Sequence, residues 1–156
     1  MSGKAAIDLE IKNGKSIVDF LEKMQQIGFI FYDEEGFAWY SPMCEDPDDD
    51  CGEWTQSKIS ADELYSIVRE KERQGRTVMV KMDFVEEEIA ADVPGVTIMA
   101  FDCSKVSFLL NKNRKTLERT HRRFGPTDFS WYILRIVERL RDVGLEITDM
   151  VCQEVW

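Results

Sequence analysis

The chain has 156 residues, 44% of them hydrophobic and 32% charged, with a formal net charge of −10 and a pI of about 4.7. That length suits one domain with a substantial core. No run of about 18 apolar residues occurs, which excludes a membrane-spanning helix. The negative balance argues against general nucleic-acid binding, because neutralising phosphates needs a basic face.

The opening stretch Met1–Asp8 lacks the apolar segment of a signal peptide, so a cytoplasmic location is expected. Charge is unevenly spread. Residues 1–104 hold 23 acids and 10 bases, a net of −13, and residues 105–156 hold 7 acids and 10 bases, a net of +3. Of the four cysteines, Cys44 and Cys51 flank an acidic stretch, while Cys103 and Cys152 lie among apolar residues. Reduced thiols are expected in the cytosol, with Cys103 and Cys152 as small core residues.

In chain order, Ala6 to Ile11 alternates as a strand does, and Asn13-Gly14 marks a turn. Ser16 then reads as a helix N-cap, with Asp19 answering it as in a capping box. Ile17, Phe20, Leu21, Met24 and Ile27 form one apolar stripe. Phe29–Tyr32 and Phe37–Tyr40 read as a β-hairpin around a turn ending at Gly36. Both faces of that hairpin are apolar, so one must pack on helices. The other is a core layer, a homodimer surface, a partner interface or the wall of a ligand pocket. Pro42–Ser57 is too acidic for a strand and is expected to be a surface loop. Ser60-Ala61-Asp62-Glu63 is a second capping box, and its narrow stripe of Leu64, Ile67, Val68 and Lys71 predicts a rather exposed helix. Thr77–Phe84 is a strand. Residues 86–95 are an acidic connection. Val96–Phe101 and Val106–Leu110 form a second hairpin. The basic segment 111–125 has no clear element, Pro126-Thr127-Asp128 opens a third helix, and Glu146–Val155 is the last strand.

Three times a helical run ends at a glycine followed by a β-rich run, at Gly28, Gly75 and Gly144. The result is a single α+β domain over 1–156 with an antiparallel-rich sheet and about three helices. The order is β-α-β-β-α-β and then β-β-α-β. The first six elements have the order of a ferredoxin-like unit. The second part repeats the hairpin-helix-strand portion, which suggests a weak internal duplication with a half boundary near 85–95.

The densest feature is the run from Cys44 to Trp54, which holds Glu45, Asp46, Asp48, Asp49, Asp50 and Glu53. Three readings stay open: a solvated acidic loop, a partner-binding loop with Trp54 as aromatic anchor, and a divalent-cation site. Asp46, Asp48 and Asp50 alternate as at the start of a calcium loop. Gly52 comes one place too late, however, and Ser57 stands where the twelfth-position glutamate belongs, so the pattern is not an EF-hand. Cys44 and Cys51 lack the further ligands of a zinc site.

His121 is the sole histidine and nothing in the sequence places a nucleophile beside it, so no catalytic role is expected. The surrounding bases Lys112, Arg114, Lys115, Arg119, Arg122 and Arg123 either offset the acidic half of the molecule or contact an anion. Asn13-Gly14-Lys15-Ser16 resembles the end of a phosphate-binding loop, but Leu9 occupies the position of its first glycine. Only the ordinary anion affinity of a helix N-terminus remains there.

The functional expectation is a non-catalytic acidic interaction protein that binds, and by binding inhibits, a basic protein partner, without a cofactor. Its contacts would come from Glu45, Asp46, Asp48, Asp49, Asp50, Glu53, Trp54, Trp39 and Tyr40. Toxin-neutralising immunity proteins and phage-encoded nuclease inhibitors have a similar charge and size, a likeness that no motif carries. The alternative is a ligand- or divalent-metal-binding regulatory domain of ferredoxin-like type, with Asp46, Asp48 and Asp50 as candidate metal ligands.

Overall fold

The computed structural model of the chain describes residues 4–43, 54–85, 93–117 and 125–155. Its eight strands are β1 (Lys4–Ile11), β2 (Phe29–Ile30), β3 (Ala38–Tyr40), β4 (Thr55–Ser57), β5 (Val78–Phe84), β6 (Gly95–Asp102), β7 (Lys105–Lys112) and β8 (Ile147–Val155). They form one sheet in the order β4-β3-β5-β6-β7-β1-β8, with β2 also paired to β5. Helices α1 (Ile17–Gln26) and α2 (Ala61–Arg73) lie in the first half. In the second half α3 (Phe129–Tyr132) runs through a π-helical turn (Ile133–Val137) into α4 (Glu138–Asp142).

The α+β class and the antiparallel sheet match the sequence reading, and every pairing is antiparallel. The pairings leave the ferredoxin-like detail expected of the first six elements unconfirmed. β1 pairs with β7 and β8, far from the strands that follow it in sequence, and the strands joined through α2 (β4, β5) and through α3–α4 (β7, β8) each flank one antiparallel strand, β3 and β1 respectively. In both halves the strand before the helix lies one strand away from the strand after it, but the strand between is the neighbouring β3 in the first half and the distant β1 in the second.

One face of the sheet is the core. Ile7 and Leu9 of β1, Val80 and Met82 of β5, Ile98 of β6 and Phe108 of β7 alternate inward and meet Phe20, Leu21, Met24, Leu64, Val68, Tyr132, Ile136 and Leu140 of the helices. The inward positions of β5 are spaced by two residues and those of α1 by three or four, so each element buries one side. α2 is more deeply seated than its narrow stripe suggests. Leu64, Tyr65, Val68 and Lys71 are all buried, and the Lys71 Nζ donates to Ser41 Oγ at 2.6 Å.

The caps are local and mostly as expected. Ser16 accepts from Asp19 N–H and Ser60 from Glu63 N–H. Asp19, however, turns to Lys23 instead of closing the box. The anion at the α1 N-terminus is internal, because the Glu72 carboxylate of α2 accepts from Ile17 N–H. Gly28, Gly75 and Gly144 all have positive φ, as the helix-to-strand reversals require.

Residues 29–40 are not a hairpin with its own two-strand ladder. β2 and β3 both run antiparallel to β5, along the same edge, and residues 31–37 loop out between them. The Tyr32–Ala38 bridge closes that excursion. The end of the expected 42–57 loop is β4, which pairs with β3. The 95–112 hairpin forms as read. Asp102 accepts from the Ser104 hydroxyl and the Ser104 and Lys105 N–H groups across its turn, bonds that hold its carboxyl below the ordinary aspartate range.

Cys103 and Cys152 are not core residues. Cys103 is half-buried in that turn and Cys152 is exposed on β8, both as free thiols. Partial burial pushes both thiols up, which lowers the thiolate fraction and hence the reactivity.

Candidate functional site

The second face of the sheet bears no helix among the described residues. Strand alternation places Met79, Lys81 and Asp83 of β5, Thr97 and Met99 of β6, and Ser107 and Leu109 of β7 on it. Asn111 joins them through its bonds with Thr97, and Phe101 follows in the register shift at the end of β6. Phe101 is 48% exposed. At the β3–β4 end of this face the Lys81 ammonium lies between two indoles, 5.0 Å from the Trp39 ring centroid and 4.8 Å from that of Trp54. An ammonium between two aromatic faces is held by their quadrupoles and by its own aliphatic stem packing on them.

Trp39 is positioned from two sides. Its backbone is in the β3–β4 ladder opposite Gln56. Its Nε1–H donates to Asp33 Oδ2 at 3.1 Å, while Asp33 Oδ1 accepts from Glu35 and Phe37 N–H across the turn. The Phe37 bond is the main reason the Asp33 carboxyl is held below its ordinary value; burial works against it, and the Trp39 and Glu35 bonds add to the lowering. An Asp-x-x-Gly turn is a local sequence signal for such bonding. The meeting of Lys81 with two tryptophans far away in sequence has no local signal.

Next to Trp39 is a cavity of about 340 Å³ whose walls include Asp33, Lys81, Asp83, Asn111 and Lys112. Lys112 Nζ and Asp83 Oδ2 are paired at 2.7 Å, and Asn111 exchanges hydrogen bonds with Thr97. The cavity therefore offers an indole wall and charged groups of both signs, a lining that suits a polar or zwitterionic side chain.

Of the residues expected to contact a partner, Trp39 and Trp54 come together here. Tyr40 does not. It is 6% exposed, points into the core and shares a hydrogen bond with Ser57 Oγ at 3.0 Å, so it presents no surface to a partner. Glu45, Asp46, Asp48, Asp49, Asp50 and Glu53 lie outside the described residues, as do Cys44, Cys51 and His121. The stretch that holds those carboxylates leaves the sheet after β3 and returns at Trp54, and Tyr40 and Thr55 are register partners. Among the described residues no three His, Cys, Asp or Glu side chains gather as metal ligands, and no helix is long and apolar enough to cross a membrane.

The described part of the basic segment is extended and turned onto the protein's own acids. Lys112 pairs with Asp83. The Arg114 guanidinium donates to Thr127 and, at 2.6 Å, to Glu154. Lys115 N–H donates to the Tyr132 hydroxyl and its ammonium lies 5.6 Å from the Trp131 ring. Comparison with protein-family models, with curated proteins and with solved structures returned no match.

Proposed function

We propose that this is a non-catalytic interaction protein whose uncovered sheet face engages a basic protein partner. The observation that carries the reading is the half-buried Trp39–Lys81–Trp54 stack at the edge of a face that bears no helix among the described residues, at the point where the acidic stretch begins and ends. An antiparallel sheet exposed on one side normally shows polar residues there. This one carries Met79, Met99, Leu109 and two tryptophans among Asp8, Lys81, Asp83, Thr97, Ser107 and Asn111. Apolar area bordered by charge is the composition of an interface, and tryptophan is the residue type most often dominant in binding energy. A net charge of −10 would speed the approach of a basic partner and make that rate fall with salt. In this mechanism the carboxylates of 45–53 steer, Trp39 and Trp54 anchor, and inhibition follows where the covered surface is the partner's working surface.

The test is capture from a lysate of the source organism, run with the native protein, with Trp39→Ala, and with Asp48, Asp49 and Asp50 all changed to Asn. The reading expects a basic protein that is released by salt, is retained less by both variants, and associates more slowly with the triple variant. A partner held equally by all three proteins, or no specific partner, would refute it. A second reading, a small-ligand or divalent-cation regulatory domain, has the cavity beside Trp39 in its favour. Its check is a saturable rise in melting temperature with Ca²⁺, Mg²⁺, Mn²⁺ or a metabolite.

A further inference from the structure

β8 is the last strand on its side of the sheet, and among the described strands it pairs only with β1. It is exposed from Thr148 to Gln153, with Met150 at 38% and Val151 at 44%, and Val155 near its end reaches 63%. Natural edge strands of this length are usually shielded by lysine, proline or a covering segment. β8 contains neither lysine nor proline. Its only charges are Asp149 and Glu154, and the Glu154 carboxylate is taken up by Thr127 and Arg114.

The direction of its main-chain groups follows from β1. Ile11 N–H donates to Ser104 on the β7 side, and Lys12 N–H to Glu146 on the β8 side. Alternation then directs Glu10, Asp8 and Ala6 toward β8, so their partners Asp149, Val151 and Gln153 bond inward. Met150, Cys152 and Glu154 direct N–H and C=O away from the sheet, while Thr148 sits in the register shift opposite Glu10 and Ile11. Among the described residues Met150 N–H is met there locally, by Asp149 Oδ1 at 2.9 Å.

We infer that this edge pairs with β8 of a second copy, antiparallel, about a two-fold axis at Val151. Val151 is the middle residue of the strand, so this register overlaps it fully. Met150 then faces Cys152 of the other copy, Asp149 faces Gln153, and Val151 faces its own counterpart, with the register shift at Thr148 falling at each end of the ladder. Outward groups meet outward groups, and no like charges stand opposite. A shift of one residue sets outward groups against inward ones. A centre at Met150 would put Glu154 opposite Glu146. The rotation keeps the helices of both copies on one side, so the uncovered faces join into one. A junction of two strands is smaller than a standard interface of roughly 1,600 Å², and each copy carries −10. The association is therefore weak and strengthens with salt, which screens that repulsion.

Disulfide trapping tests the register in a background where the four native cysteines are serine and folding is verified by melting. Val151→Cys places its sulfurs across a non-hydrogen-bonded pair, where Cα atoms about 4.5 Å apart allow a bridge. Gln153→Cys faces Asp149 and lies out of reach of its counterpart. Mild oxidation is expected to cross-link Val151→Cys at least about tenfold faster than Gln153→Cys, and added Met150→Pro, which removes an outward N–H, should abolish the difference. Equal rates, or no cross-link, would overturn the proposal. Hydrogen exchange on the unaltered protein reads the same edge without substitutions. Met150 and Cys152 amides should gain protection between roughly 10 µM and 1 mM protein, while Val151 and Gln153 stay protected throughout. Edge amides protected at both concentrations mean that the chain covers its own edge. Edge amides open at both leave it to a strand of another protein. Either result overturns self-pairing.

Discussion

Glu154→Ala removes the carboxylate that ties the segment before α3 to the outer strand. Its Oε1 accepts from Thr127 N–H at 2.9 Å, Thr127 Oγ1 at 2.7 Å and Arg114 Nη1 at 2.6 Å. The Arg114 and Glu154 side chains are only 13% and 15% exposed. A neutral hydrogen bond contributes about 1 kcal/mol net and one to a charged group about 1.5–3. Water and remaining neighbours recover part of that at this depth, which leaves an expected loss of about 2–3 kcal/mol. For a chain of this size the melting temperature should fall by roughly 5–10 °C. The Ala5–Glu154 register is a backbone feature and survives the change, so a circular dichroism melt reports the side-chain cluster. A fall under about 1 °C would refute the reasoning. The same cluster sets a pH dependence. Burial works to raise the Glu154 pKa, but the bonds from Thr127 and Arg114 prevail and hold it below the ordinary glutamate value of 4.5. A depressed folded pKa gives stability that is full above the unfolded value and lost as pH falls through the folded one. The native protein should therefore lose melting temperature more steeply than Glu154→Gln as pH drops below about 4.5.

Two further substitutions probe the elements that position the site. A Cβ on Gly14 would stand 2.0 Å from the Cys103 carbonyl oxygen, so Gly14→Ala must push the β6–β7 turn away from the start of α1. It should cost about 2–4 kcal/mol in urea unfolding, and a loss under about 0.5 kcal/mol would contradict the close approach. Asp33→Ala deletes the acceptor for Glu35, Phe37 and the Trp39 indole. A shift of the Trp39 indole N–H resonance and a loss of about 1–2 kcal/mol are expected. An unmoved resonance would mean that Asp33 does not hold the ring.

The helix starts at Ser16 and Ser60, the helix-ending glycines at 28, 75 and 144, and the turn at Asp102 were legible because each depends on bonds within a few residues. The long strands were legible because alternation records which side is buried. Tyr40 was misassigned as an anchor because an aromatic residue in a short strand does not announce its side. The Tyr40–Val80 and Tyr40–Thr55 pairings decided that it points inward. The depth of α2 was misjudged for a related reason, although Lys71 does lie on its inward stripe. The burial of Lys71 depends on Ser41, which only the folded chain brings near.

The α+β class, most element boundaries and the acidic, single-histidine chemistry were thus determined by the sequence itself. Local backbone preference and apolar periodicity need no knowledge of the rest of the chain. The place of β1 between β7 and β8, the face without a helix and the edge of β8 without a further strand among the described residues, and the Trp39–Lys81–Trp54 stack were decided only by tertiary structure. Each is a choice among partners far apart in sequence, made by how the whole set of strands and helices buries one shared core.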